Sequence, residues 1–302
     1  PNVWKLEPAF PAVITDCKTA GKISAEHLLN RGFKNFAYCG YDDMPWSIER
    51  GDFFIERINQ EGFETYLYSQ PKSRSMRFWE NEQNYMADWL SSLPKPVGLM
   101  CCNDNRGQNV IEACKLAGLC VPDEIAIIGV DDDELICNLS DPRISSIPFN
   151  TEKAGFEAAA LLQRLMDSEK MTGQRIIDYP THVVTRQSTD ILAIEDRDVA
   201  EAIHFIKKNS KKLIQVTDVV EASVLSYRAL NQKFCKHLER SIHKEIKRVR
   251  VEQIIKMLVT TSLSISQIAQ ILGYSGPNHI ARYFKQEKGI NPSAYRNKYR
   301  HV

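Results

Sequence analysis

Two groups of side chains in this sequence have the types and spacing for recognition chemistry, and they lie in opposite halves. In the first half, polar residues gather in three windows, Tyr41–Arg50, Asn103–Arg106 and Asp131–Glu134. They offer a guanidinium fork (Arg50), an amide (Asn103), carboxylates (Asp104, Asp131) and, one helical turn before Arg50, an indole (Trp46). Forked donors and carboxylate or amide acceptors satisfy neighbouring hydroxyls, and an aromatic ring covers an apolar C–H face, so the set suits a polyhydroxylated ring. Plainer roles compete: Asp131 and Asp132 as helix caps, Asp104 as a structural acceptor, Trp46 as core. In the second half, Asn278, His279, Arg282 and Lys285 share one helical face, and Tyr227, Arg228, Asn231 and Gln232 share another. Asn pairs with adenine and Arg with guanine through two hydrogen bonds, so such faces read base edges when a helix enters a major groove. An ordinary helical hairpin with a polar outer face is the alternative.

Other chemistries find little support. The Asp131–Asp133 run is a poor cation cage, because adjacent side chains point apart. None of the eight cysteines forms a C-x-x-C pair or precedes a histidine at zinc spacing, which leaves reduced, buried thiols packing as small hydrophobes. No phosphate-cradling glycine loop and no nucleophile–base pairing at a recognised motif spacing is present. The reading is therefore no metal, no cofactor, no catalytic residue and no enzyme.

The elements that must position these residues differ between the halves. Apolar runs at Pro11–Asp16, Asn35–Gly40, Val97–Cys102 and Ile125–Val130 alternate with helical stretches at Thr19–Arg31, Ser47–Gln60, Glu82–Ser91 and Arg106–Ala117. That alternation predicts an α/β domain with one parallel sheet covered on both faces, and ligands beyond the carboxyl ends of its strands. From Asp196 onward the spacing predicts seven helices and no strand. Within them, Ser226–Phe234 and Gly276–Phe284 repeat small residues, a Leu or Ile and a terminal Phe, 50 residues apart. Ile265, Ile268, Ala269 and Leu272, then Gly273, then Ile280 and Phe284 describe two short helices around a tight turn, a helix-turn-helix at about 264–288. A first copy occupies about 216–238, and a helix over Ile242–Thr260, spanning about 28 Å, joins them. That length suits two recognition helices in successive major grooves, about 34 Å apart, with Lys244, Lys247, Arg248 and Arg250 beside phosphates. The polar stretch Ser188–Asp198 reads as a linker.

Charge divides along the same line. From Asp196 onward there are 20 Lys and Arg against 9 Asp and Glu, a balance of +11; before it there are 19 against 29, a balance of −10. A basic half beside an acidic one points to a polyanionic partner for the former. No apolar run reaches the length of a membrane helix, which predicts a cytoplasmic protein away from membranes.

Two resemblances sharpen this. The stretch Val199–Tyr299, through SISQIAQILGY, ARYFKQEKG and NPSAYR, resembles the DNA-binding domain of the AraC/XylS family. The resemblance places base readers at Arg228, Asn231, Gln232, Asn278, His279 and Arg282. In the first motif Cys235 stands at a usual Lys and Glu239 at a usual Gly. The run Cys102–Ile147 resembles the LacI-type regulators and the periplasmic pentose-binding proteins, through its Asn-Asp pair, VPDEIAIIGVDD and a following PRISSI. It implies a periplasmic-binding-protein-like effector domain in which Arg50, Asn103 and Asp131 bind sugar hydroxyls, with Phe149 where those families often have Gln. It also implies that roughly 90 residues of a first lobe lie outside this sequence. The expected layout is residues 1–190 as the sugar-effector domain, 191–198 as the linker and 199–302 as the DNA-binding domain. The pairing of the two domain types resembles that of xylose-responsive regulators. It implies an activator that takes a pentose, D-xylose first and arabinose or ribose as alternatives, or else a repressor. The implied partners are double-stranded promoter DNA, a second copy in a homodimer, and RNA polymerase.

Overall fold

The computed structural model describes residues 11–73, 77, 79–167, 173–191, 193–194 and 196–299. The chain divides into two compact units at Ala193/Ile194. Among the described residues no helix is long and apolar enough to cross a membrane.

The first unit is built on a four-stranded parallel sheet: β2 (Asn35–Cys39), β3 (Thr65–Leu67), β4 (Val97–Cys101) and β5 (Ile125–Ile128), in the order β3-β2-β4-β5. The alternation of side chains along a strand splits its core into two layers. Ala37, Leu99, Cys101 and Ile127 pack against Met86 and Leu90 of α3 (Trp79–Ser92) and Val110 and Cys114 of α4 (Asp104–Ala117). Phe36, Met100, Ala126 and Ile128 pack against Leu28 of α1 (Cys17–Leu29) and Phe54 and Ile58 of α2 (Pro45–Gln60). Burial on both faces is why β2, β4 and β5 read as unbroken apolar runs, whereas β3 leaves Tyr66 and Leu67 exposed. Gly21 of α1 lies directly over the Arg50 turn of α2; a Cβ there would stand 2.7 Å from the Arg50 carbonyl oxygen. Any larger residue would push α2, and with it Arg50, out of place.

One strand departs from the sequence expectation. The Pro11–Asp16 run forms β1 (Ala12–Thr15), which joins a separate two-stranded parallel sheet with β6 (Arg175–Asp178). Val13 and Ile14 are exposed, so apolar composition alone did not reveal which sheet takes the strand. The short helix α5 (Glu134–Leu139) and α6 (Thr151–Met166) complete the unit.

The linker begins later than Ser188. Ser188 and Thr189 are fully buried in the first unit: the Ser188 hydroxyl donates to the Ile127 carbonyl and the Thr189 hydroxyl to Ser145 Oγ. Their polarity is spent inside the fold. At the other end, Asp196 and Asp198 already belong to the second unit, where Asp196 caps α7 (Arg197–Lys208).

The second unit shows seven helices among its described residues: α7, α8 (Val216–Glu221), α9 (Tyr227–Leu238), α10 (Ile242–Thr260), α11 (Ile265–Ile271), α12 (Pro277–Lys288) and α13 (Pro292–Tyr299). The 50-residue repeat is structural: α9 and α12 begin and end 50 positions apart, and Leu230/Phe234 and Ile280/Phe284 are buried in equivalent places. Ser226, Ser241 and Ser264 accept backbone N–H groups as N-caps of α9, α10 and α11, removing donors that would otherwise be orphaned. Gly273 takes the positive φ its turn requires, +73°. Glu239 closes α9 at φ +56°, where Gly289 closes α12 at +77°, so the first copy carries a backbone strain that the second avoids. Both copies pack on α10, the first through α8 and the second through Ile254 and Leu258, while Ile246 and Val249 of α10 are also buried.

Candidate functional site

The carboxyl ends of β2, β4 and β5 bring the predicted residues of the first unit together. Arg50 is 3% exposed. One of its terminal nitrogens donates to the Cys102 carbonyl at 2.6 Å, at the end of β4, and the other to Asp131 Oδ1 at 3.3 Å, beyond β5. Its Nε–H is buried without a partner. The guanidinium carbon lies 5.1 Å from the centre of each of the Trp46 and Phe149 rings. Trp46 thus stacks on Arg50. Its ring also packs on the core and meets Tyr41 edge-on at 6.2 Å.

Asp131 is the outward partner of the pair, with 47% of its side chain exposed. Desolvating surroundings raise its carboxyl above the ordinary range, against the pull of Arg50. It sits at φ +102° and Asp132 at +55°, conformations that non-glycine residues keep only when the surroundings impose them. The helix cap is Asp133, which accepts from the Leu135 and Ile136 N–H groups, so Asp131 is spared that role. Asp132 is paired with Arg186 at 2.7 Å, a contact that sequence reading missed, since 54 residues separate the partners.

Asn103 caps α4, its Oδ1 accepting from the Arg106 N–H at 2.9 Å. Asp104 turns inward. It is 1% exposed, and its two oxygens accept from Ser146 Oγ and the Asp133 N–H. The expectation of a sugar contact at Asp104 is corrected accordingly: both oxygens hold the turn that aims Asp131. Burial pushes its pKa up to about 7, outweighing the two hydrogen bonds that favour the charged form. A raised carboxyl binds its proton more tightly folded than unfolded. Its contribution to stability is therefore complete below about pH 4 and is lost as pH rises through 7. Asp104→Asn is expected to flatten that fall, on the order of a few kcal/mol, in urea unfolding followed across this range. An equal slope in both proteins rules Asp104 out as its cause.

Behind Asn103, Arg106 is fully buried with Glu82 at 2.7 Å and lies 4.8 and 5.0 Å from the Tyr41 and Tyr68 rings. A buried pair of this kind fixes geometry more than it adds stability. Six of the eight cysteines are buried as expected; Cys120 and Cys235 are exposed.

In the second unit the outward faces form as the spacing predicts. Asn278, His279, Arg282 and Lys285 are exposed on α12, and Tyr227, Arg228 and Gln232 on α9. Asn231 differs: its Oδ1 accepts from the Ile242 N–H at 3.2 Å, which commits it to joining α9 to α10. The cations of α10 also depart from expectation. Arg250 is buried, bonded to the Lys212 and Leu272 carbonyls and stacked on Tyr274 at 4.5 Å. Arg248 is bound to Glu245 and Glu252, and Lys247 to Glu287. Glu245 is itself fully buried; burial alone would raise its carboxyl, but Arg248 and Arg240 hold it below the ordinary range. Lys244 remains exposed. A charge count cannot show that most of these cations are spent on fixing α10.

Residues 25–189 match the periplasmic binding protein-like domain family, and residues 219–298 the helix-turn-helix domain family. The xylose operon regulatory protein of Haemophilus influenzae is 31% identical over 96% of this chain and 75% of its own length. That of Escherichia coli K12 is 32% identical over 97% and 76%. The chain belongs to the xylose operon regulator family. The regulator also resembles the solved structure of a xylose-binding transcription activator, with TM-score 0.55 and 30% identity over 96% of this chain and 77% of that one. A periplasmic binding protein/LacI regulator from Alkaliphilus metalliredigens, solved with D-xylulofuranose, shares the fold of the first unit at TM-score 0.52 and 21% identity, covering 60% of this chain and 66% of that one. The regulator is thus a member of a family of transcription regulators, not of enzymes, and joins a sugar-binding type of domain to a DNA-binding one.

Proposed function

We propose that the chain is a pentose-responsive transcription activator in which D-xylose is gripped by Arg50, Asn103 and Asp131, and α9 and α12 enter successive major grooves of promoter DNA. The observation that carries this reading is the Arg50–Asp131 pair at the strand ends: a guanidinium beside a half-exposed carboxylate supplies the donor and acceptor chemistry that adjacent hydroxyls require. The names of the relatives support xylose. On the DNA side, Arg228, Gln232, Asn278, His279 and Arg282 address base edges, while Tyr227 and Lys285 lie beside the backbone. Binding of the sugar favours one arrangement of the DNA-binding domains in a homodimer and so raises affinity for paired half-sites, from which the activator reaches RNA polymerase in the cytoplasm.

Isothermal titration of the chain with D-xylose, L-arabinose, D-ribose and D-glucose tests the effector. Saturable heat with D-xylose, at least tenfold tighter than with the others, is expected; the same preference for another pentose would reassign the sugar. Absence of heat with all four would refute the reading.

A further inference from the structure

Lys233 lies on α9, a helix whose cations would ordinarily be assigned to DNA phosphates. Its ammonium is instead held by two carboxylates, Asp196 Oδ2 and Asp198 Oδ2, each at 2.7 Å. His237, one turn further along α9, places Nε2 3.8 Å from the same Asp196 oxygen. The other Asp196 oxygen accepts from the Asp198 and Val199 N–H groups and caps α7. Asp196 thus binds two elements at once, and it stands two residues beyond the point where the chain passes from the first unit to the second. The apolar face of α7, Val199, Ala202, Ile203 and Ile206, is buried and packs toward α9 and α10. That packing begins only after the carboxylates. The segment entering the unit is therefore fastened to the recognition helix by charge.

We propose that Asp196 and Asp198 are positioning residues for DNA recognition: through Lys233 they tie the entering chain to α9, so that displacement of that chain on sugar binding re-aims the first recognition helix. This rests on the proposed sugar-gated DNA binding. It assigns Lys233 to coupling and takes it out of the set of phosphate contacts. Lys236, exposed on the same helix, has no equivalent tie to these carboxylates.

The test uses the full chain and a duplex enriched from random sequence by the D-xylose-bound wild type. Affinity is measured by fluorescence anisotropy with and without D-xylose for wild type, Lys233→Met and the pair Asp196→Asn/Asp198→Asn. Asparagine caps helices as well as aspartate, so the second variant removes charge and leaves the α7 cap. Both variants are expected to bind D-xylose and melt as the wild type does. The ratio of DNA affinities with and without the sugar is expected to fall by about threefold or more, toward one. The exchange Lys233→Glu with Asp198→Lys should restore part of it. A wild-type ratio in both variants overturns the proposal. So does an equal loss of affinity with and without sugar in Lys233→Met alone, which would make Lys233 a phosphate contact. A wild type whose affinity ignores the sugar removes the functional reading itself, and this inference with it.

Discussion

Arg50→Ala is expected to weaken D-xylose binding at least a hundredfold and to leave DNA affinity in the absence of sugar close to wild type. The size follows from what one side chain does at three places: it holds the end of β4, faces Asp131 and keeps one buried N–H unspent. A hundredfold loss is about 2.7 kcal/mol, within the range for losing a hydrogen-bonded charged group from a binding site, and half-exposed Asp131 keeps its hydration when its partner is removed. Because Arg50 also supports the fold, Asp131→Asn serves as a second variant. It keeps shape and the exposed position and removes only charge, so it should lose affinity while melting normally. If either protein bound D-xylose as tightly as wild type, the grip would have to lie elsewhere. Trp46→Leu and Phe149→Leu probe the same arrangement indirectly, since each would remove one ring from the guanidinium.

Arg282→Ala is expected to cost about 1–3 kcal/mol on the enriched duplex and to abolish discrimination at a single base pair. Its neighbour Lys285, proposed to lie beside the phosphates, should behave differently when changed to Ala: a uniform loss across sequences and a salt slope lower by about one. The contrast is informative because both side chains are exposed on α12 and differ only in the role assigned. Affinities for the duplex and its single-base variants, taken over a range of salt, separate the two. A uniform loss for Arg282 would demote it to a phosphate contact.

Much of this molecule was legible in the residues, and most of the exceptions have a common cause. Strands buried on both faces and helices with single apolar faces announce themselves by period, so β2, β4, β5 and the seven helices of the second unit followed the pattern, whereas β1 paired with β6 in a separate sheet and the short, exposed β3 gave no such signal. The 50-residue repeat located α9 and α12, the helices proposed to read DNA. The remaining errors concern where polar groups spend their hydrogen bonds. Asp104 and Asp131 look equivalent in sequence, yet one is locked by Ser146 and the Asp133 backbone and the other is half-exposed. Arg248 and Arg250 count as positive charge wherever they point, but their partners Glu245, Glu252, Lys212 and Leu272 are set by packing. Asn231 carries the right chemistry for adenine and gives its acceptor to α10 instead. Ser188 and Thr189 read as linker because nothing local reveals that Ile127 and Ser145 await them.

The central claim is that one basic helical unit presents two groove-filling helices under the control of a sugar held at the strand ends of the other unit. Hydroxyl-radical footprinting of the enriched duplex by the full chain, with and without D-xylose, addresses both parts together. The account predicts pairs of protected segments about one helical turn apart on the same side of the duplex, with protection appearing at lower protein concentration when D-xylose is present. A single protected segment per copy, or protection that no pentose changes, would contradict it.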